Sequence, residues 1–452
     1  HNRYEKIELI SYTSEAKCSV SYNKSDNDII AFVKGAPETI IEMCKIDDNI
    51  QAIIGNQLDD LSSSGLRVLA IACGKTPNKK IENLEFLGLV AMLDPLRPEA
   101  KQAVKDCQKA GIKVVMITGD NPKTAFAIAN ELGFVEKQNE VKTGDEIEDA
   151  KNKNELDNLT EKTSVYARIK PIQKLDIVKS LQANGGYVAV TGDGVNDAPA
   201  LKNANVGVAM GKNGTDIARE SASMVLTDDN FTSIVHGIEE GRLTYSNIRK
   251  IVFFLMSTAF AEIGVFLLSI ITNMPIPFTP IQLLWINLIT ESVQGIALAM
   301  EEKDGNEMLT PPRKPSEPIF DKVMIARIII SSTVIIIGCF AIFKYFYDVT
   351  QDIILSRSCL LFLLVMFLNM QIFNARSENK SIINRNFFKN PFLLVSILLI
   401  TLLHVFVSYS PTFNEFLDII PLRKFEISII LPLSLSILLM GEVEKFIRKI
   451  LR

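Results

Sequence analysis

The chain changes its hydrophobic rhythm once, near residue 240. Before that point short apolar runs such as "IKVVMITGD", "YVAVTGDG" and "VGVAMG" alternate with charged stretches of helical character, and the runs end in glycine turns. This alternation predicts an α/β region with short strands. After Arg249 and Lys250 comes "IVFFLMSTAFAEIGVFLLSIITN", long enough to cross a bilayer and holding one carboxylate. Further apolar stretches near 281–300, 324–347, 352–374, 390–410 and 424–442 bring the predicted spans to about six.

Loop charges give these spans an orientation. Arg242, Arg249 and Lys250 precede the first span, and Arg313, Lys314 and Lys322 follow the second. Arg376, Lys380, Arg385 and Lys389 follow the fourth, and Lys445, Arg448, Lys449 and Arg452 the sixth. The intervening loops "NMPIPFTP" and "FYDVTQD" carry no Lys or Arg, whereas "FNEFLDIIPLRKF" breaks the pattern with Arg423 and Lys424. By the positive-inside rule the α/β region, both chain ends and the basic loops are expected in the cytosol. The Pro-rich "LTPPRKPSEP" reads as a stiff cytosolic connector.

Composition agrees with a chain of two halves. Of 452 residues 48% are apolar and 22% charged, too apolar for an ordinary soluble enzyme and too charged for a purely membranous protein. At about 150 residues per domain the length allows roughly three domains. A net charge of −4 supplies no basic field for nonspecific nucleic-acid binding. The six cysteines form no CxxC pair, which argues against a disulfide framework or a zinc site. The chain opens on His1 without a signal-peptide-like apolar stretch, and is read as a fragment.

Candidate chemistry begins with "TGDGVNDAPAL", Thr191 to Leu201. An apolar strand feeds a glycine turn, which sets Asp193 at the carboxyl end of a parallel strand, where α/β folds gather ligands. Asp197 follows at a second bend, and two carboxylates this close suit Mg²⁺, which takes one or two carboxylates plus phosphate oxygens. A second strand ends in Thr118, Gly119 and Asp120 and runs into "NPKTAFAIANELG", where a hydroxyl and backbone amides at a helix start form an anion cradle. In "YARIKPIQKLDIV", Arg168 and Lys174 are candidates to hold a phosphoryl group. Each string has a plainer reading, as a capping turn, an ordinary strand-to-helix turn or a solvated basic face.

Together with "FVKGAPE", "GLRVLAIA" and "DPLRPEA", these strings resemble, in order and separation, the P-type ATPase family and specifically its type II cation pumps. The resemblance implies three regions. Residues 1–93 would be the C-terminal part of an α+β nucleotide-binding domain. Residues 94–237 would be an α/β, haloacid-dehalogenase-like (Rossmann-like) phosphorylation domain, and 238–452 an α-helical transmembrane bundle of about six helices. It implies ATP contacts at Tyr12, Lys17, Lys34, Gly35, Arg67, Arg97 and Arg168, with Asp94 and Arg97 at the hinge into the phosphorylation domain. Asp193 would ligate Mg²⁺ with support from Asn196 and Asp197, while Thr118, Gly119, Asp120 and Lys174 would serve the transferred phosphoryl. The family's nucleophilic aspartate sits in a DKTGT string that this sequence does not contain. The resemblance therefore implies that this piece alone cannot form the aspartyl phosphate, and that the absent segment would supply the central strand of its phosphorylation domain.

Charged groups inside spans are costly and point to function. Glu262 and Glu291 each lie in an apolar stretch, with Asn287 predicted on the helix face of Glu291 and Thr290 beside it. Oxygen ligands without thiolates or imidazoles suit Ca²⁺ or an alkali cation better than copper or zinc. In type II pumps these four positions match ion ligands, and "PIQLLWINLIT" is most similar to calcium pumps. Ala259, Glu291 in place of an aspartate, a proline-free "ESVQG", and Gln371 or Asn369 in place of a glutamate favour one ion per cycle. Ca²⁺ export is expected first, then Na⁺, K⁺ or Mn²⁺ transport, in a multi-pass protein of the plasma membrane with no obligatory protein partner. His404 and Trp285 read as packing residues. Readings of other classes are a membrane-anchored haloacid-dehalogenase-type phosphatase and a noncatalytic pump remnant.

Overall fold

A computed structural model describes residues 4–13, 16–25, 28–63, 66–76, 78–92, 96–379, 381 and 387–451. Asp94, Lys380, Arg385 and Arg452 lie outside them. The chain divides into two units, 1–236 with 308–312, and 237–307 with 313–452.

The first unit opens on an antiparallel sheet of five strands in sequence order: β1 (Glu5–Ile10), β2 (Cys18–Ser25), β3 (Asp28–Gly35), β4 (Arg67–Lys75) and β5 (Glu85–Met92). Its inner face alternates as the pleat demands, with Val20, Tyr22, Ala31, Val33, Ala70 and Ala72 buried against Ile40 and Leu84. The ladder sets Lys34 opposite Ser19 and Ile71, on the face away from this core. Gly35 is required by a close approach, because a Cβ there would stand 2.4 Å from the Lys17 carbonyl.

Two further sheets follow, both wholly parallel: β6 (Met116–Ile117), β8 (Val165–Ala167) and β7 (Val141–Thr143) in the order β6-β8-β7, and β9 (Ala189–Gly192), β10 (Val206–Met210) and β11 (Met224–Leu226) in the order β11-β10-β9. The central strand β8 is fully buried, whereas β6 and β9 are edges and are only partly covered. This explains why "IKVVMITGD" yields a two-residue ladder, since a strand paired on one side alone loses regularity early. The strand from "YVAV" likewise runs later than expected and takes in Thr191 and Gly192. The connector "LTPPRKPSEP" is not free in solution along its length: Pro311 packs on Gly111, where a Cβ would meet it at 2.9 Å.

The second unit is helical. Among the described residues six helices are long and apolar enough to cross a membrane: Phe231–Ile271, Pro280–Ala299, Lys322–Thr350, Ile353–Ala375, Pro391–Tyr409 and Lys424–Leu451. They are called the first to sixth membrane helices below. The first is one continuous helix of 41 residues, so it starts well before Arg249, where the apolar stretch begins. The fourth is the central one, with 67% of its apolar window buried. Close approach is allowed by Gly338, where a Cβ would lie 2.7 Å from the Phe367 ring, and by Gly264 against Ile336.

A buried ion pair ties three helix ends to the body of the first membrane helix. Arg376 donates to Glu301 through Nε at 3.1 Å and Nη2 at 2.9 Å, Asn390 Nδ2 adds 2.9 Å to the same carboxylate, and Asn247 Nδ2 reaches the Glu301 carbonyl at 2.9 Å. With every partner satisfied such a network can be sustained without water.

Candidate functional site

Three loops converge at the carboxyl ends of the parallel strands in the first unit. The turn after β6 is stitched to the turn after β8: Thr118 N–H donates to the Tyr166 carbonyl at 2.9 Å, Ile169 N–H to the Thr118 carbonyl at 3.1 Å, and Arg168 N–H to the Asp120 carbonyl at 3.0 Å. Within it the Thr118 hydroxyl donates to Asp120 Oδ2 at 2.9 Å. The helix Pro122–Leu132 starts immediately after, with Asn121 accepting from the Lys123 N–H at 2.9 Å, proline at its first position and Gly133 closing it at φ 82°. A Cβ on Gly119 would meet nothing within 4 Å, so the space beside this turn is open to a ligand.

Asp197 is the hub of the second loop. The helix Pro171–Ala183 brings Lys174 Nζ to within 2.6 Å of Asp197 Oδ1, while Oδ2 accepts from the N–H groups of Asp193 and Gly194 at 3.3 Å each. Gly192 makes room, because a Cβ would fall 2.5 Å from that of Asp197. Asp197 is therefore neutralised and holds the turn in shape. Asp193 differs: its carboxylate accepts no hydrogen bond among the described residues and faces solvent, as does Asn196. A Mg²⁺ ion keeps several waters and needs one or two carboxylates, so Asp193 with phosphate oxygens fits it. No group of three or more His, Cys, Asp or Glu suited to a metal occurs among the described residues.

Sequence reasoning missed the third loop. Asp229, buried and at φ 53°, accepts from the N–H groups of Lys212 at 3.0 Å and Asn213 at 2.8 Å. The Lys212 bond first, then that from Asn213, holds its carboxyl below the usual carboxylate range. Arg219 Nη1 donates to the Gly214 carbonyl at 2.6 Å, and Thr215 N–H to the Asp193 carbonyl at 2.8 Å. Asp193 is thus fixed from both sides. The only signal was an Asp in a "TDDN" turn, a residue type that tolerates left-handed backbone.

The expected nucleotide contacts separate into two groups. Lys17 and Lys34 have no ion pair or side-chain hydrogen bond among the described residues, and Tyr12 is 59% exposed. The arginines are engaged instead. Arg67 stands 4.0 Å from Asp120, Arg168 pairs with Glu38, and Arg97 Nη1 donates to the Asp229 carbonyl at 2.7 Å. That bond makes Arg97 a brace for the loop around Asp229.

The second unit holds the other cluster. In the second membrane helix residues Trp285–Glu291 form a π-helix, which widens the turn without a proline. The Ser292 hydroxyl donates to the Asn287 carbonyl, five residues back, at 3.0 Å. Glu291 is buried, and Asn287, exposed along its own helix, lies against Glu262 of the first helix. Thr258 lies against Glu291, and the two carboxylates are near enough to sense each other's charge. Glu262 Oε1, Thr290 Oγ1 and Glu291 Oε1 are buried without a hydrogen-bond partner. Buried acceptors facing no donor are a site for a cation.

Gln371 and Asn369 are buried and committed to side-chain bonds, Gln371 Nε2 to Ser257 at 3.1 Å and Asn369 Nδ2 to Thr401 at 2.9 Å. His404 is buried between the rings of Trp285, 6.4 Å away, and Phe362, 5.4 Å away.

Residues 26–205 match the family described as haloacid dehalogenase-like hydrolase, and residues 275–447 the family described as cation transporting ATPase, C-terminus. The chain is 37% identical over 429 residues to a calcium-transporting ATPase of Bacillus subtilis, covering 91% of this chain and 48% of that protein. It is 35% identical over 447 residues to the human calcium-transporting ATPase type 2C member 1, covering 96% and 48%. To the probable cation-transporting ATPase F of Mycobacterium tuberculosis it is 35% identical over 437 residues, covering 92% and 48%. The chain spans about half the length of the curated relatives it matches. A haloacid-dehalogenase-like domain followed by six apolar helices, with these relatives, marks the chain as a P-type ATPase fragment of the type II cation-pump kind, similar to proteins named calcium-transporting ATPases.

Proposed function

We propose that this chain is part of an ATP-driven pump that exports Ca²⁺, one ion per cycle, through an aspartyl-phosphate intermediate. The observation that carries the reading is the set of buried, unpartnered oxygens on Glu262, Thr290 and Glu291, in the same chain as the loop that presents Asp193. A phosphatase merely anchored in a membrane has no use for two carboxylates facing each other inside a helical bundle.

The residues divide the work. Tyr12, Lys17, Lys34 and Gly35 would take the nucleotide on the open face of the antiparallel sheet, with Arg67 and Arg168 at its margin. Thr118, the Gly119 backbone and Lys174 would surround the transferred phosphoryl group, whose loose transition state is stabilised by positioning and charge. Asp193 would hold Mg²⁺, which when bound neutralises phosphate charge, with Asn196 in support, while Asp197 keeps the turn in shape. The 452 residues contain no DKTGT string, so we assign the nucleophile to a strand outside this chain. The half-covered edges of β6 and β9 are the places where such a strand could pair.

On this reading residues 1–93 belong to a nucleotide-binding domain, 94–237 to a phosphorylation domain and 238–452 to the membrane domain. The basic loops and the ATP-handling domains would face the cytosol, at the plasma membrane. ATP-dependent uptake of radioactive Ca²⁺ into inverted vesicles bearing the full-length pump tests the proposal. Uptake abolished by vanadate is expected, and equal accumulation with and without ATP refutes it. Lys34→Ala should weaken ATP binding about tenfold by isothermal titration, the scale of one lost charge-assisted contact of ~1.4 kcal/mol; equal affinity would remove Lys34 from the nucleotide site.

A further inference from the structure

One buried side chain of the second membrane helix, close in sequence to Glu291, has no part in the cation site described above. Gln294 lies one turn beyond Glu291 in the second membrane helix, on the same side of it, and is fully buried. Its Oε1 is without a hydrogen-bond partner, as are Glu262 Oε1, Thr290 Oγ1 and Glu291 Oε1.

The amide cannot turn round, because the hydrogen bonds behind it fix which end is oxygen. The Thr401 hydroxyl spends its only proton on the Ile397 carbonyl at 2.7 Å, so towards Asn369 it can only accept. Asn369 therefore presents Nδ2 to Thr401 at 2.9 Å and Oδ1 to the other side. Facing that oxygen at 2.6 Å, Gln294 must present Nε2. What remains on Gln294 is a bare carbonyl oxygen, held by a chain that runs through the fourth and fifth membrane helices.

An unsatisfied buried amide oxygen is expensive where water is excluded. A chain that imposes that orientation is explained if a cation completes it. We propose that Gln294 is a neutral oxygen ligand of the transported ion, beside Glu262, Thr290 and Glu291, and that Asn369 and Thr401 are the residues that position it. Two carboxylates balance the charge of one hard divalent cation, and the amide and hydroxyl oxygens raise the ligand number without adding charge. This inference rests on the reading of the bundle as a cation pathway.

The test uses the full-length pump and reads the cation dependence of phosphoenzyme formation from ATP, with Ca²⁺ and Mn²⁺ titrated in parallel and ATP affinity checking the fold. Gln294→Leu is expected to raise the half-saturating Ca²⁺ concentration about tenfold or more, the scale of one lost ligand contact. Thr401→Val, which removes the acceptor and leaves the ligands in place, should move it the same way by a smaller factor and change the Ca²⁺ to Mn²⁺ ratio. Thr401→Ser, which keeps the hydroxyl, should restore both values. Wild-type values for Gln294→Leu, in a pump where Glu291→Gln has lost its cation response, overturn the inference and leave the pump reading standing. An unaltered response in Glu291→Gln overturns both. If Gln294→Leu fails to bind ATP, identical titrations for Thr401→Val and Thr401→Ser overturn the inference.

Discussion

Asp193→Asn is expected to abolish phosphoenzyme formation from ATP in the full-length pump, by about 100-fold or more, the range found when one electrostatic stabiliser of a transition state is removed. The two carboxylates of the turn have different duties. Asp197 is neutralised by Lys174 at 2.6 Å and by backbone N–H groups, which leaves Asp193 as the charge available to a metal. Asparagine keeps the size and one oxygen and loses only that charge. Because Asp197, Asp229 and Arg219 hold the surrounding loops through bonds that do not involve the Asp193 side chain, the turn should keep its shape. ATP affinity measured without Mg²⁺ and the thermal unfolding temperature should therefore match wild type. Phosphoenzyme at the wild-type level, assayed by acid-stable ³²P incorporation with Mg²⁺ present, would remove Asp193 from the site.

Glu291→Gln should suppress ion-activated phosphorylation while leaving ATP binding intact. The substitution is close to isosteric and removes one of two negative charges beside the unpartnered oxygens of Thr290 and Glu262. In a water-excluded bundle a full charge at contact distance is worth several-fold more than at a surface. A rise of about 100-fold in the half-saturating cation concentration, equivalent to ~2.7 kcal/mol, is the expected scale. The readout is a titration of phosphoenzyme against Ca²⁺, and a curve superimposable on wild type would refute a transport site at Glu291.

Features that depend on local pattern could be read from the residues. The membrane helices follow from uninterrupted apolar length, and the helix Pro122–Leu132 from its Asn, Pro and Gly punctuation. Glu262 and Glu291 stand out because carboxylates in apolar runs are rare. Features that depend on contacts far apart in the chain could not be read. Arg97 and Asp229 are 132 residues apart, and neither sits in a string that announces the other. Gln294 reads as an ordinary amide until Asn369, 75 residues away, fixes its orientation. The π-helix over Trp285–Glu291 has no breaker residue to signal it.

The central claim is that cation occupancy at buried carboxylates governs chemistry at Asp193. It is tested most directly by phosphoenzyme formation from ATP in the wild-type full-length pump, across a panel of Ca²⁺, Mn²⁺, Na⁺ and K⁺ and in a chelator. The account predicts phosphoenzyme with Ca²⁺ and none in the chelator. Equal phosphoenzyme with and without Ca²⁺ would contradict it.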